Sequence, residues 1–239
     1  MNLLEIMREL ADFDTPLLAN TIGYIDDTPS HEFYLSGDIQ SVTPSIGPTV
    51  GIAVTCEIDT STPNNPMELD KYWAQLEQMD AMEEPVVWVL KTVGSRPEHE
   101  CVLGDGMGKM LTGVGCIGAV TDGRVRDVQG LHTIGLATYC RGTCAHHTAI
   151  RIAKVNEPVD IGGITISPGD VIHANHEGVI RVPPACLEIL PDQLVAMRAF
   201  EHDVHKIWRR NDLSVAEKKQ IGVDMFAKHG FDKFRSIEL

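Results

Sequence analysis

Between Gly47 and Leu90 the chain changes its apolar period twice, and that alternation constrains the fold more than any other feature. From Gly47 to Glu57 the apolar residues Val50, Ile52 and Val54 alternate, the period of a strand. Residues 60–66 are polar and rich in Pro and Asn, a loop composition. From Met67 to Met82 the spacing of Leu69, Tyr72, Trp73, Leu76 and Met79 is helical, and Glu84-Pro85 ends it. Val86-Val87-Trp88-Val89-Leu90 then reads as a strand buried on both faces. This β–α–β rhythm predicts a sheet with at least one parallel pair and a covering helix.

The rest of the chain adds layers to that unit. Leu3, Leu4, Met7, Leu10 and Leu17-Leu18 make residues 1–25 look helical, with a break or a helix start at Thr15-Pro16. The segment from Gly104 to Gly123 reads as loop, helix, then a strand ending at Val120-Thr121. Over residues 148–181, short alternating runs are separated by Gly162-Gly163 and Pro168-Gly169, the pattern of antiparallel strands joined by tight turns. From Pro191 onward, Leu194, Met197, Phe200, Val204, Ile207 and Trp208 form a helical stripe. Repeats, low-complexity tracts and linkers are absent, so one mixed α/β domain over residues 1–239 is expected, with 203–239 a helical C-terminal extension.

Charge and composition then exclude several function classes. With 20 Lys+Arg against 34 Asp+Glu, the formal charge of −14 repels phosphate and argues against a nucleic-acid binder. The charge is uneven. Residues 202–239 hold 8 basic and 6 acidic side chains, which leaves −16 on residues 1–201, and this mildly basic tail reads as a docking element for another subunit. No apolar run approaches the roughly 18 residues of a membrane span. The N-terminus carries no basic region before its apolar residues, so a cytoplasmic protein is expected. Six cysteines spread over a long chain read as reduced thiols. Cys140 and Cys144 with His146-His147 lack zinc-site spacing and read as half-buried thiols near polar histidines. The pairs His146-His147, His173/His176 and His202/His205 read as surface or interface histidines.

The chemistry concentrates in Gly104-Asp105-Gly106-Met107-Gly108-Lys109 and in Arg126-Asp127. A dinucleotide loop is disfavoured because Leu111 stands where the third glycine belongs, and because His99-Glu100-Cys101-Val102 is a poor strand. No Gly-Lys-Ser/Thr follows, which excludes a P-loop. The glycines suit an anion cradle, in which backbone N–H groups converge on one oxyanion at a helix start. Arg126 offers a two-pronged donor for a carboxylate or keto oxygen. Asp127 offers a hard oxygen ligand suited to Mg²⁺ or Mn²⁺.

The run Gly104-Asp105 … Gly115-x-x-Gly118-x-Val120-x-Asp122-Gly123-x-Val125-Arg126-Asp127-Val128 resembles the signature of the RraA-like family, which includes class II pyruvate aldolases. A second stretch, Pro158-Val159-x-Ile161-Gly162-Gly163-Ile164-x-Ile166-x-Pro168-Gly169-Asp170-Val171-Ile172, resembles that family's later β segment. The likeness covers roughly residues 10–205 and is strongest from Gly104 to Pro183. It implies a β/β/α layered fold of the swivelling-domain type with helical N- and C-terminal segments, a homotrimer or homohexamer, and sites between subunits. It also implies a metal-dependent lyase that splits a 4-hydroxy-2-oxo acid to pyruvate or decarboxylates oxaloacetate.

By the same resemblance, Asp127 matches the direct metal ligand and Arg126 the group that holds the keto acid and its enolate. Gly104, Asp105, Gly106 and Met107 match the substrate-carboxylate loop. Asp105, 21 residues before Arg126, stands where family aldolases hold a metal-bound water that shuttles the proton. Glu201 matches a glutamate given to the neighbouring subunit's site. Three features depart from the family pattern: Asn20 in place of a frequent Asp, the longer tail, and Asp105-Gly106-Met107-Gly108 in place of an acid followed by bulky aliphatics. Some members are named instead for inhibiting ribonuclease E by binding it, and those tend to lack the aspartate after the arginine. Asp127 favours catalysis, with a non-catalytic protein-binding regulator as the alternative. The resemblance carries no S-adenosylmethionine loop.

Overall fold

The computed structural model describes residues 1–231. The chain opens with α1 (Leu3–Leu10) and α2 (Thr15–Ile25). Asn2 caps the first and exchanges two bonds with Glu5, while Asp14 accepts from Leu17 N–H at 2.9 Å and caps the second. The N-terminal segment is therefore two helices, and Thr15-Pro16 is a helix start. The strands and helices that follow are β1 (Gln40–Ser41), β2 (Thr49–Asp59), α3 (Asp70–Asp80), β3 (Val86–Thr92) and β4 (Cys101–Leu103). Next come α4 (Asp105–Gly113), β5 (Cys116–Thr121), β6 (Arg124–Val125), α5 (Val128–Thr133) and β7 (Ala137–Cys140). Then follow β8 (Arg151–Val155), β9 (Val159–Ile161), β10 (Ile164–Ile166), β11 (Val171–Asn175) and β12 (Gly178–Val182). Two helices, α6 (Leu190–Trp208) and α7 (Val215–Lys228), close the described chain.

Eight strands form one sheet in the order β1-β7-β5-β3-β2-β11-β12, with β8 also paired to β2. The pairs β2–β3, β3–β5 and β5–β7 are parallel, and the remaining neighbours are antiparallel. The predicted β–α–β unit is thus β2–α3–β3. The antiparallel reading of residues 148–181 is borne out by β8 to β12. Two small ribbons stand apart from the sheet: β9 with β10, antiparallel, and β4 with β6, parallel.

Strand β3 shows why the result is layered. Val86, Trp88 and Leu90 face a core built with Tyr72, Leu76 and Met79 of α3, Leu111 of α4 and Leu131 of α5. Val87 and Val89 face Val159, Ile161, Ile164 and Ile166 of the β9–β10 ribbon. All five are 0% exposed, so a continuous apolar run is what both contacts require. Ribbon, sheet and helices make the β/β/α stack. Trp88 donates its indole N–H to Gln75, which in turn donates to Thr55 C=O, so that buried donor is satisfied. Helices α1, α2 and α6 pack a third core with β11 and β12.

Four expectations need correction. Trp73, placed on the buried stripe of α3, is 49% exposed. Residues 99–102, a poor strand by composition, include the start of β4, because Cys101 and Leu103 pair with Arg124 and Val125. Cys140 is fully buried rather than half-buried. His173 is a core residue, with its Nε2 donating to Leu10 C=O at 3.2 Å and its Nδ1 accepting from the Thr15 hydroxyl at 3.0 Å. A strand position between two helices made it inward-facing, and the polar atoms of α1 and α2 made that tolerable. The expected tail is the end of α6 plus α7, and its residues 232–239 lie outside the described residues. No helix among the described residues is long and apolar enough to cross a membrane.

Candidate active site

The β4–β6 ribbon brings the two sequence motifs together. Parallel pairing places Leu103 beside Val125, and Arg126 N–H donates to Leu103 C=O at 2.9 Å. One residue further along each strand, Gly104 and Arg126 therefore lie side by side. A Cβ built on Gly104 would sit 2.8 Å from Asp127 Oδ2 and 3.1 Å from Arg126 Nε, so only glycine lets both side chains lie over the backbone. Gly104 is also the N-cap of α4, whose first-turn N–H groups have no acceptor within the helix. Gly108 and Gly130 are close-packing positions: a Cβ would meet Leu131 at 2.9 Å from the first and Asp105 Cβ at 2.6 Å from the second.

These elements enclose a hollow of about 250 Å³ lined by Cys101 to Met107, Arg126, Asp127, His147 and Ile150. Six of the expected site residues, Gly104, Asp105, Gly106, Met107, Arg126 and Asp127, line it together. Glu201 does not; it sits on α6 with its carboxylate 3.5 Å from the Asn20 amide, and Asn20 thus neighbours Glu201 in the same chain. His147 and Ile150 are lining residues that spacing did not reveal. They arrive because the segment after β7 runs parallel to β6, with Arg141 N–H on Gly123 C=O and Cys144 N–H on Val125 C=O. The adjacent His146 places Nδ1 3.5 Å from Arg126 Nη1.

Asp127 has φ +56° and ψ +37°, a left-handed conformation that costs a non-glycine residue about 1 kcal/mol. It is the N-cap of α5, yet its carboxylate makes no capping bond. Its Oδ2 lies 3.4 Å from Arg126 Nε instead. Asp105 is held by Lys109 at 2.7 Å, and that hydrogen bond keeps its carboxyl below the usual aspartate range. Burial pushes the Cys101 thiol up to about 11, so it is neutral near pH 7 and an inert wall.

Among the described residues, no group of three or more His, Cys, Asp or Glu side chains is arranged to enclose a metal ion. A single half-exposed carboxylate suits an ion that keeps most of its own waters and takes only one or two protein ligands, as Mg²⁺ does. Asp127 has that character, and its freedom from capping leaves its oxygens available.

A family model described as RraA-like (Aldolase/RraA) matches residues 24–181, about two thirds of the chain, spanning both ribbons and the hollow. The chain belongs to the RraA-like family. Protein DlpA of Legionella pneumophila is 33% identical over 90 residues, which cover 37% of this chain and 15% of DlpA. Two proteins bear the name "Putative 4-hydroxy-4-methyl-2-oxoglutarate aldolase". That of Halalkalibacterium halodurans is 34% identical over 83 residues, covering 34% of this chain and 40% of the relative. That of Ectopseudomonas mendocina is 32% identical over 110 residues, covering 46% and 67%. The chain thus spans less than half the length of the first two. Of solved structures, a Pseudomonas syringae pv. tomato protein superposes with a TM-score of 0.67 at 22% identity, over 91% of this chain and 93% of the other. Streptomyces coelicolor RraAS2, described as an unusual member of the RNase ES inhibitor RraA family, gives 0.63 at 24%, over 87% and 96%. These likenesses show the RraA-like fold.

Proposed function

We propose that this RraA-like protein is a divalent-metal-dependent carbon–carbon lyase. It splits a 4-hydroxy-2-oxo acid to pyruvate by retro-aldol cleavage and decarboxylates oxaloacetate, working as a cytoplasmic homotrimer or homohexamer. The observation that carries this reading is the pairing of Arg126 with an uncapped, left-handed Asp127 over the first turn of α4.

A 2-oxo acid presents a carboxylate and a keto oxygen on adjacent carbons. The N–H groups of α4's first turn and the positive end of its dipole receive the carboxylate. Arg126 reaches the keto oxygen with a charged donor aimed where negative charge develops as the bond to C3 breaks. Asp127 would hold Mg²⁺ or Mn²⁺, which supplies Lewis-acid polarisation of that same oxygen. Asp105, fixed by Lys109, keeps a negative charge at the mouth of the hollow, where it can orient water. Both reactions need only this electron sink, so one site serves both. As a non-catalytic binding module the chain would have no use for a strained aspartate free of its own helix.

Pyruvate release from 4-hydroxy-4-methyl-2-oxoglutarate and from oxaloacetate, coupled to NADH oxidation, tests the reading. Turnover is expected to vanish with EDTA, return with Mg²⁺, and fall by about 10²-fold or more in Arg126→Ala and Asp127→Ala. Turnover at the wild-type rate in either variant overturns it.

A further inference from the structure

Besides the neutral Cys101 thiol, the hollow is lined by a titratable side chain to which the proposed function gives no task, His147. Its segment is fixed at both ends. Cys144 N–H binds Val125 C=O at 3.0 Å upstream, and Thr148 N–H binds Thr60 C=O at 2.7 Å downstream. Within it, His147 Nδ1 lies 2.6 Å from Thr148 C=O. A carbonyl oxygen can only accept, so Nδ1 carries the proton. In the neutral ring Nε2 then bears a lone pair, and among the described residues no protein group hydrogen-bonds to it. An imidazole with its Nδ1 engaged by its own loop and its Nε2 left open, in the wall of a hollow that also holds Arg126 and Asp127, is the arrangement of a proton acceptor.

We infer that His147 is the general base that takes the proton of the substrate's 4-hydroxyl in retro-aldol cleavage. The inference rests on the lyase reading above. The O–H pair becomes the new carbonyl at C4, the C3–C4 bond breaks, and its electrons pass to C3 and the keto oxygen beside Arg126. The proton taken by Nε2 returns to solvent, and the pyruvate enolate collects one at C3 from water, so the ring and the mass balance are restored. Decarboxylation of oxaloacetate breaks a bond to a carboxylate that has already lost its proton. It needs no base at C4.

That difference is the test. His147→Gln and His147→Ala should lose about 10²-fold or more in kcat on 4-hydroxy-4-methyl-2-oxoglutarate while keeping oxaloacetate decarboxylation within about threefold of wild type. The retained reaction also reports that the variants are folded and that the Arg126–Asp127 pair is intact. Equal loss of both reactions, the result expected if His147 merely shaped the hollow or held the metal, overturns the inference and leaves the lyase reading standing. Cleavage at wild-type rate in both variants does the same. A wild-type protein that releases pyruvate from neither substrate overturns the lyase reading, and this inference with it.

Discussion

Gly104 lacks a side chain for the sake of its neighbours. The atoms closest to its missing Cβ are Asp127 Oδ2, Arg126 Nε and Arg126 Cγ, all within 3.2 Å. Its own φ of −135° is open to any residue, so the constraint is space and not backbone strain. Gly104→Ala should therefore fold normally and displace the Arg–Asp pair. A shift of an ångström at the reacting centre costs about 10²-fold in rate. We expect that loss in kcat/KM for pyruvate release with a change in Tm of only a few degrees; a fully active Gly104→Ala protein would place the pair elsewhere. At this scale most of the site was legible, because glycines and an Arg-Asp step announce a backbone cradle and a charged clamp. His147 was not. Its place in the lining depends on a loop running beside β6, and nothing in the spacing of 126 and 147 encodes that path.

At the scale of elements, His173 ties the N-terminal helices to the sheet. It lies on β11, with Leu10 at the end of α1 and Thr15 at the start of α2 as its two partners. Burial lowers its pKa from 6.5 to about 4. Between those values the unfolded chain binds a proton that the native chain refuses, so stability is full above pH 6.5 and falls as pH drops toward 4. The loss amounts to about 2 kcal/mol at pH 5. Urea unfolding at pH 7.5 and pH 5 should show it, and His173→Gln should shrink the difference; an unchanged difference in that variant would assign the acid sensitivity to other groups. Long elements with one clear period, β2, α3, β3 and α6, were legible from residues alone. β4, β6 and α5 were not, being 3, 2 and 6 residues long and lacking the paired glycine turn that marks the equally short β9 and β10. Their positions follow from pairing partners distant in sequence.

At the scale of the whole molecule, Glu201 is not among the residues that line the hollow of its own chain. Arg126 and Asp127 sit at the β4–β6 ribbon, whereas Glu201 rides on α6 beside α2. If Glu201 serves a site, a second copy must present it. Co-expressing Arg126→Ala with Glu201→Ala subunits then produces oligomers in which some sites combine an intact arginine from one copy with an intact glutamate from another. Pyruvate release above that of either parent alone is expected, and mixtures no better than the parents would assign Glu201 to its own chain's packing with Asn20.

The β4–β6 ribbon is held by few backbone bonds and lies apart from the eight-stranded sheet. Free energies of local opening scale with what must be broken, so this small lattice can come undone while the larger one stays shut. Warming should then abolish the proposed lyase turnover before it melts the scaffold. Val102, Leu103 and Val125 of the ribbon are buried in the same core as Trp88 and Leu90, so over evolutionary time the reactive corner is free to change only the side chains that line the hollow.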